Sequence, residues 1–391
     1  MKPGYKQAEI GLIPSDWTVT SLGQVVQLQR GYDLPHRVRK PGIVPIVSSS
    51  GICGYHDQTQ ANGPGVVTGR YGTIGNVYFV KEDFWPLNTT LFVKDFKGSD
   101  PLFISYLLRT IDFESHSGKS GVPGVNRNDL HELLVACPAI EEQQAIASAL
   151  SGMDTLISSL DQLITKKRDI QQATMQQLLT GQRRLPGFSG EWGLKPMRAL
   201  GNTYGGLVGK TKIDFGHGEA RYIPFMNVMT DSVIDASWLE SVDVKPDEAQ
   251  NLTKKGDLFF NGSSETPEEV GFCSVLLDEI PNLYLNSFCF GFRFNTTAKV
   301  NGLFFAYWFR SKVGRAAMSV LAQGATRYNI AKSAFMQLEI PQPSEEEQTA
   351  IATVLSDMGA ELAALEARYE KACQLKQGMM QELLTGRIRL A

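Results

Sequence analysis

At 391 residues the chain is long enough for two or three domains, each with a core of its own. Its 42% apolar and 20% charged residues are those of an ordinary globular protein, and a net charge of −3 excludes the strongly basic balance of a protein that coats nucleic acid. No apolar run reaches membrane-span length, and the opening residues lack the continuous apolar core of a signal peptide. The five cysteines (Cys53, Cys137, Cys273, Cys289, Cys373) are scattered without a CxxC spacing. They are read as reduced core residues of a cytoplasmic protein, not as a disulfide framework or a zinc site.

In chain order, residues 1–137 read as a first globular head. Short β-rich runs at Val44–Ser48, Gly65–Thr68, Val77–Val80 and Thr90–Val93 are bounded by Gly, Pro and Asn, and Leu102–Thr110 is a helix candidate. Residues 186–342 read as a second head. Tyr222–Val228, Asp257–Asn261, Cys273–Leu277 and Phe288–Phe294 are expected strands, and Leu303–Ala322 is expected as one helix. Both heads are predicted to be α+β with mostly antiparallel or mixed sheets. Each starts with a Trp and a later Leu-Gly (Trp17 with Leu22 and Gly23; Trp192 with Leu200 and Gly201). Each ends with an Asn a dozen residues before a proline (Asn126, Pro138; Asn329, Pro341). Otherwise the heads do not resemble each other closely.

After each head comes a stretch that the chain contains twice. Residues 138–185 recur as 343–390 at an offset of 205, without a gap over 48 positions, 21 of them identical, and the second helical region is taken as 343–391. A fixed-period internal match of this kind sets the architecture. In the first copy Ile146, Leu150, Met153, Ile157, Leu160 and Ile164 alternate spacings of four and three; in the second, Ile351, Leu355, Met358, Leu362, Leu365 and Tyr369 do the same. Such an apolar stripe is the seam of a coiled coil and the expected interface between the two helices. The seam turns polar at Lys167, Gln171 and Lys376, which can fix register at some cost in stability. Both copies close on Leu-Leu-Thr-Gly (Leu178–Gly181, Leu383–Gly386), a helix C-cap signal. Ser344 with Glu347 predicts a capping box at the second start. The helices serve at least to hold the two heads. Residues Ile146 to Leu178 also span about 50 Å as a helix, more than one turn of B-DNA at about 34 Å, so the rod can act as a ruler. A duplicated head-plus-coil unit favours pseudo-twofold symmetry.

Enzyme motifs are absent from the sequence: there is no GxxxxGK[ST], no GxGxxG after a strand, no HExxH and no GxSxG. The five histidines show no metal-ligand spacing. What remains are loops that mix basic, aromatic, hydroxyl and amide side chains. In the first head these are Arg30, Tyr32, His36, Arg37 and Arg39, then Ser49, then Arg70 with Tyr71. The second head has Lys210 and Lys212, Arg221 with Tyr222, Asn227, Ser263 with Ser264, and Arg327 with Tyr328. These are the types that read DNA: Arg bonds guanine bidentately, Asn adenine, and Lys and Ser hold phosphates. Taken singly each is also an ordinary solvated loop residue, and Asn126 and Asn329 serve equally well as caps.

These residues resemble the specificity (S) subunit of Type I restriction–modification systems over nearly the whole length. Tyr5–Gln7 and Gly11–Trp17 resemble the family's N-terminus. Pro138–Gln143 and Pro343–Gln348, with the Leu-Leu-Thr-Gly endings, resemble the limits of its helical regions. Gly31–Pro35, Ser48–Tyr55, Thr68–Gly75 and Pro86–Thr90 resemble one type of target-recognition domain, and Gly256–Asn261 with Gly271 another. The resemblance implies two target-recognition domains separated by two long helices in an antiparallel coiled coil. It implies a non-catalytic subunit whose heads each read one half of a split, asymmetric double-stranded DNA target while the coil sets the spacer. Two methyltransferase subunits, which carry S-adenosylmethionine and flip out the target adenine, dock on it, and ATP-dependent translocase and nuclease subunits join them. The rival readings are a coiled-coil adaptor with two ligand-binding heads not specific for DNA, and a self-contained restriction enzyme. The adaptor leaves the duplicated head–coil order and the basic–aromatic loops unexplained; the enzyme needs motifs that are absent.

Overall fold

The computed structural model describes residues 4–117 and 124–390. They form two compact units. One holds the chain up to Gln162 together with the segment from Glu366 onward; the other is Leu163–Leu365. Each unit therefore contains a head, the start of the helix that follows it, and the end of the helix from the other copy. No helix among the described residues is long and apolar enough to cross a membrane.

The two long helices are Ile140–Leu179 and Glu345–Leu383. Their seam follows the heptad pattern. Ile146, Leu150, Leu160 and Ile164 are buried and Met153 and Ile157 half-buried; Ile351, Leu355 and Leu365 are buried and Met358, Leu362 and Tyr369 half-buried. The pairing is antiparallel within each unit. In the first unit Asp154 takes an ion pair from Lys376 at 2.5 Å while Glu142 takes one from Arg389. In the second, Lys167 pairs with Glu361 at 2.7 Å and Gln171 lies against Gly359. The polar seam residues thus have partners specific to their level. Burial works against the Asp154 carboxylate, but Lys376 and the Tyr106 hydroxyl (2.6 Å) outweigh it and hold its pKa below the usual range. Leu156, Leu163 and Ile170, seven residues apart, are about 40% exposed on the outside of the first helix. Both helices end in a glycine at φ +70° (Gly181, Gly386), where a side chain would be strained.

Each head is built on a four-stranded antiparallel sheet. The first runs Gln27–Arg30, Thr90–Asp95, Gly65–Gly69, Val77–Val80; the second runs Gly201–Gly205, Cys289–Phe294, Leu258–Asn261, Cys273–Val275. In chain order both sheets read 1-4-2-3, so the heads share one topology. A helix follows the fourth strand in each, Pro101–Arg109 and Gly302–Arg310, N-capped by Asp100 and Asn301. A two-stranded ladder closes each base, Thr18–Ser21 with Leu134–Cys137 and Gly193–Pro196 with Glu339–Gln342. The cores differ in kind. The first is mainly aliphatic around Leu28, Val66, Leu91 and Val93; the second is aromatic, with Phe260 stacked on Phe290 at 5.2 Å and edge-on to Phe309 at 4.9 Å.

Head and coil are joined by one arrangement, made twice. Glu142 accepts from Trp17 Nε1 (2.9 Å) and from Arg389 (2.6 and 2.8 Å). At the offset of 205, Glu347 accepts from Trp192 Nε1 (3.0 Å) and Arg184 (2.5 and 2.6 Å). The next residue repeats as well. Gln143 takes the Asp100 N–H and donates to the Pro138 carbonyl; Gln348 takes the Asn301 N–H and donates to the Pro343 carbonyl.

Three expected elements differ. Ser344 accepts the Glu347 N–H (3.3 Å), but the Glu347 carboxylate belongs to Trp192 and Arg184, so the expected capping box is half made. Leu303–Ala322 is two helices, Gly302–Arg310 and Lys312–Val320, because Ser311 caps the second by accepting from Gly314 N. The strand expected over Tyr222–Val228 ends at Ile223 and turns helical over Phe225–Thr230; Pro224, with φ fixed near −64°, marks the break.

Replacing Arg184 by Ala leaves Glu347, whose side chain is 1% exposed, buried without its cation. The expected cost is about 3–5 kcal/mol, read as a drop in urea midpoint followed by Trp192 fluorescence; the double change with Glu347→Leu recovers part of it. Because the folded pKa of Asp154 is lowered, its stabilisation is present above the ordinary carboxylate range and is lost as pH falls through the folded value. The difference in midpoint between the native chain and Lys376→Met is therefore largest near neutral pH and shrinks on acidification.

Candidate nucleic-acid interface

In both heads the first strand ends, the second ends and the fourth begins at the same sheet edge, and a cleft opens there. The cleft of the first head, about 600 Å³, is lined by Arg30, Arg70, Tyr71, His116, Asn126 and Arg127, with Leu91 at its base. Arg30 closes the first strand and pairs with Asp33 at 3.6 Å. Arg70 follows the second strand, and its guanidinium lies 4.5 Å above the Tyr71 ring. The main chain is pinned beneath it: Arg70 and Tyr71 N–H donate to Thr89 O (2.8 and 3.1 Å), and Val125 N–H to Arg70 O (2.9 Å). Asn126 caps the turn Arg127–His131 by accepting from Asn128 N. Three guanidiniums, a histidine and an exposed tyrosine thus line one cleft with the carboxylate of Asp129, while Arg30 is also paired with Asp33. Cations and N–H donors in excess of carboxylates are the chemistry that phosphates and base edges take.

The cleft of the second head, about 520 Å³, is lined by Ser263, Phe288, Arg327, Asn329 and Lys332, with Gly205–Val208 along one wall. Ser263 and Ser264 form a short strand paired with Asn329 and Tyr328, so two loops distant in sequence meet in one ribbon. Tyr328 is half-buried in that ribbon, and Ser264 donates to Glu269 (3.1 Å).

The other candidates lie elsewhere in their heads. Tyr32 is half-buried against Phe92 and takes the Gln29 amide on its hydroxyl. His36 and Arg37 are exposed on a single 3-10 turn, and Arg39 donates to Leu34 O (3.2 Å). Ser49 occupies the turn between Val44–Ser48 and Gly51–His56. In the second head Arg221 and Tyr222 lie on a separate sheet, Glu240–Val242, Phe215–Ile223, Leu283–Leu285, with Lys212 exposed on the turn before it. Arg221 is exposed; the Tyr222 hydroxyl is held by Glu240, and burial with that carboxylate pushes its pKa up to about 12. Lys210, 6% exposed, is tied to Glu248 at 2.6 Å. Asn227 is 2% exposed, and both ends of its amide are bonded to the Asp235 main chain. The side chains of Lys210 and Asn227 hold loops together.

The sequence reading did not single out His116, Arg127, Phe288 or Lys332 as site residues. The signal was present for Arg127, beside Asn126, but the cleft is assembled from distant loops. Among the described residues no group of His, Cys, Asp and Glu can hold a metal ion. Burial raises the thiol pKa of Cys273, and that of Cys289 to about 12, the opposite of what a nucleophile needs.

Known proteins share this sequence pattern and this fold. The family model for the Type I restriction modification DNA specificity domain matches residues 14–167 and 243–373. The Type I restriction enzyme MjaVIII specificity subunit of Methanocaldococcus jannaschii is 23% identical over 307 residues, covering 74% of this chain and 70% of the relative. The putative MjaX specificity subunit of the same organism is 23% identical over 437 residues, covering 99% and 97%. Among solved structures, the S subunit of a Type I restriction–modification system from M. genitalium superposes with a TM-score of 0.60 at 16% identity, covering 98% of this chain and 99% of that one. The HsdS subunit from Thermoanaerobacter tengcongensis gives 0.51 at 17% identity, with 96% and 98% covered. With its family model matched across most of its length and its fold shared end to end, the chain belongs to the Type I restriction modification DNA specificity family.

Proposed function

We propose that this chain is the DNA-recognition subunit of a Type I restriction–modification complex and performs no covalent chemistry itself. Each head reads one half of a split, asymmetric target, and the coiled coil holds the interval between the halves. The observation that carries this reading is the repeated cleft: two heads of one topology place basic and amide side chains at the same sheet edge, with different residues in each. Arg30, Arg70, Tyr71 and Arg127 are assigned to the first half-site; Ser263, Arg327, Asn329 and Lys332 to the second. The exposed His36, Arg37, Lys212 and Arg221 supply phosphate contacts nearby. Two methyltransferase subunits dock along the coil and bring S-adenosylmethionine, and translocase–nuclease subunits complete the complex. Near-neutral charge fits this division, because partners then provide much of the sequence-independent grip on DNA.

The test is to co-express the chain with its methyltransferase subunit and map methylated adenines by long-read sequencing. Two defined blocks around a fixed gap are the expected result; a continuous motif, or none with an intact methyltransferase, favours the adaptor reading. In the same assay Arg70→Ala weakens binding by about 1–3 kcal/mol at one half-site only; loss at both halves, or at neither, removes that assignment. Deleting one heptad from each long helix shortens the gap, since each removes about 10 Å of rod; an unchanged gap means the coil is not the ruler. Leu156, Leu163 and Ile170 are assigned to the methyltransferase contact. Changing all three to Gln is expected to improve the solubility of the free chain and to weaken co-purification with the methyltransferase subunit.

A further inference from the structure

We propose that Phe288 is a base-reading residue of the second head and that it takes the methyl group of a thymine. This rests on the reading of the chain as a DNA-recognition subunit and adds the chemistry of one contact to it.

The argument starts from the shared sheet. In the first head Thr90 pairs with Gly69, and in the second Cys289 pairs with Asn261. The residues just outside these pairs therefore correspond: Thr89 with Phe288, and Arg70 with Gly262. The same hydrogen bond is made at both places, Arg70 N–H to Thr89 O at 2.8 Å and Gly262 N–H to Phe288 O at 3.0 Å. On one frame, the first head sets an arginine, its guanidinium over Tyr71, beside a threonine. The second sets a phenyl ring beside a glycine, where an added Cβ would come within 3.2 Å of the Phe288 carbonyl.

Phe288 is 60% exposed although the backbone around it is fixed. Its N–H donates to Asn286 Oδ1 (2.9 Å), and Asn286, itself 6% exposed, is held by the Ile223 carbonyl (3.0 Å). Twelve other large side chains are almost fully buried, seven of them in this head, so core space for a phenyl ring is not lacking. A rigid turn that holds an aromatic ring largely in water, on the lining of a cleft it shares with Arg327, Asn329 and Lys332, gains little for folding. The neighbouring groups hydrogen-bond base edges and phosphates. An apolar side chain among them is suited to the one apolar group that the major groove displays, the thymine C5-methyl.

The experiment uses the complex with the methyltransferase subunit and duplexes carrying its mapped target, with each thymine replaced in turn by uracil. The unaltered complex is expected to lose about fourfold in affinity at one thymine of one half-site, the factor that burying a single methyl group supplies. Phe288→Ala binds the thymine duplex about fourfold more weakly and no longer distinguishes thymine from uracil there. Phe288→Leu keeps the distinction, and Arg70→Ala leaves it unchanged. A target with no thymine in either half-site, indifference of the unaltered complex to every replacement, or a Phe288→Ala complex that still discriminates overturns the proposal while leaving the DNA-recognition reading intact. If the unaltered complex has no split target at all, that reading falls and this one with it.

Discussion

The structure depends on a carboxylate at the first turn of each long helix. Glu142 and Glu347 each gather an indole N–H from the start of a head and a guanidinium from the tail of the other repeat. Three segments far apart in sequence are tied at one buried point, and each guanidinium also lies over the indole ring, at 5.9 and 5.4 Å. A charged pair of this kind is a weak source of net stability but a strong source of specificity in arrangement, because any other placement leaves a buried charge alone. It decides which helix end goes with which head. The tail at Arg184 is held by this contact and by Leu185 packed on the second core; the tail at Arg389 is held by its own copy of the contact and by Leu390 packed on the first core, and the Tyr5 hydroxyl donates to the Gly386 carbonyl.

The coil then resolves what the clasp leaves open. A purely apolar seam tolerates slippage by a heptad, and here the two helices carry seam charges that have partners only in one register. Asp154 meets Lys376, and the equivalent level in the other unit pairs Gly359 with Gln171; Lys167 meets Glu361, whose counterpart in the first repeat is Leu156. Inserting charge at these levels costs burial energy and forbids the shifted pairings. The seam polarity therefore fixes the register of the helix pairing within each unit.

Much of this was legible in the sequence because it is periodic. The heptad stripe, the Leu-Leu-Thr-Gly ends and the offset of 205 depend on spacing alone, and spacing survives without knowledge of contacts. The clasp was visible only as identity: Glu142, Gln143 and Arg184 recur as Glu347, Gln348 and Arg389, but a charged residue in a helical repeat reads as solvated until its partner is known. The clefts were legible in kind but not in membership. Lys210 and Asn227 have the right chemistry for DNA, yet they are committed to Glu248 and to the Asp235 main chain. His116 and Lys332 reach the clefts through strand pairings that no local pattern encodes. Pro224 and Ser311 broke expected elements by the ordinary rules for proline and capping, which were outweighed in the reading by long apolar runs.

The relation between the heads follows from the same division. Their sequences share little because the first core is filled with Val and Leu and the second with Phe, two solutions to packing one helix on one four-stranded sheet. What a sheet fixes is where strands end, and the clefts are made of strand ends. Side chains there touch few core residues, so they vary without disturbing the frame: a guanidinium over Tyr71 in one head, a phenyl ring on a glycine-backed turn in the other. The clasp residues have no such freedom, since each is bonded to two other segments at once. Divergence at the strand ends with identity at the clasp is therefore what the contacts require of a chain whose two heads are to read different things while being held in the same way.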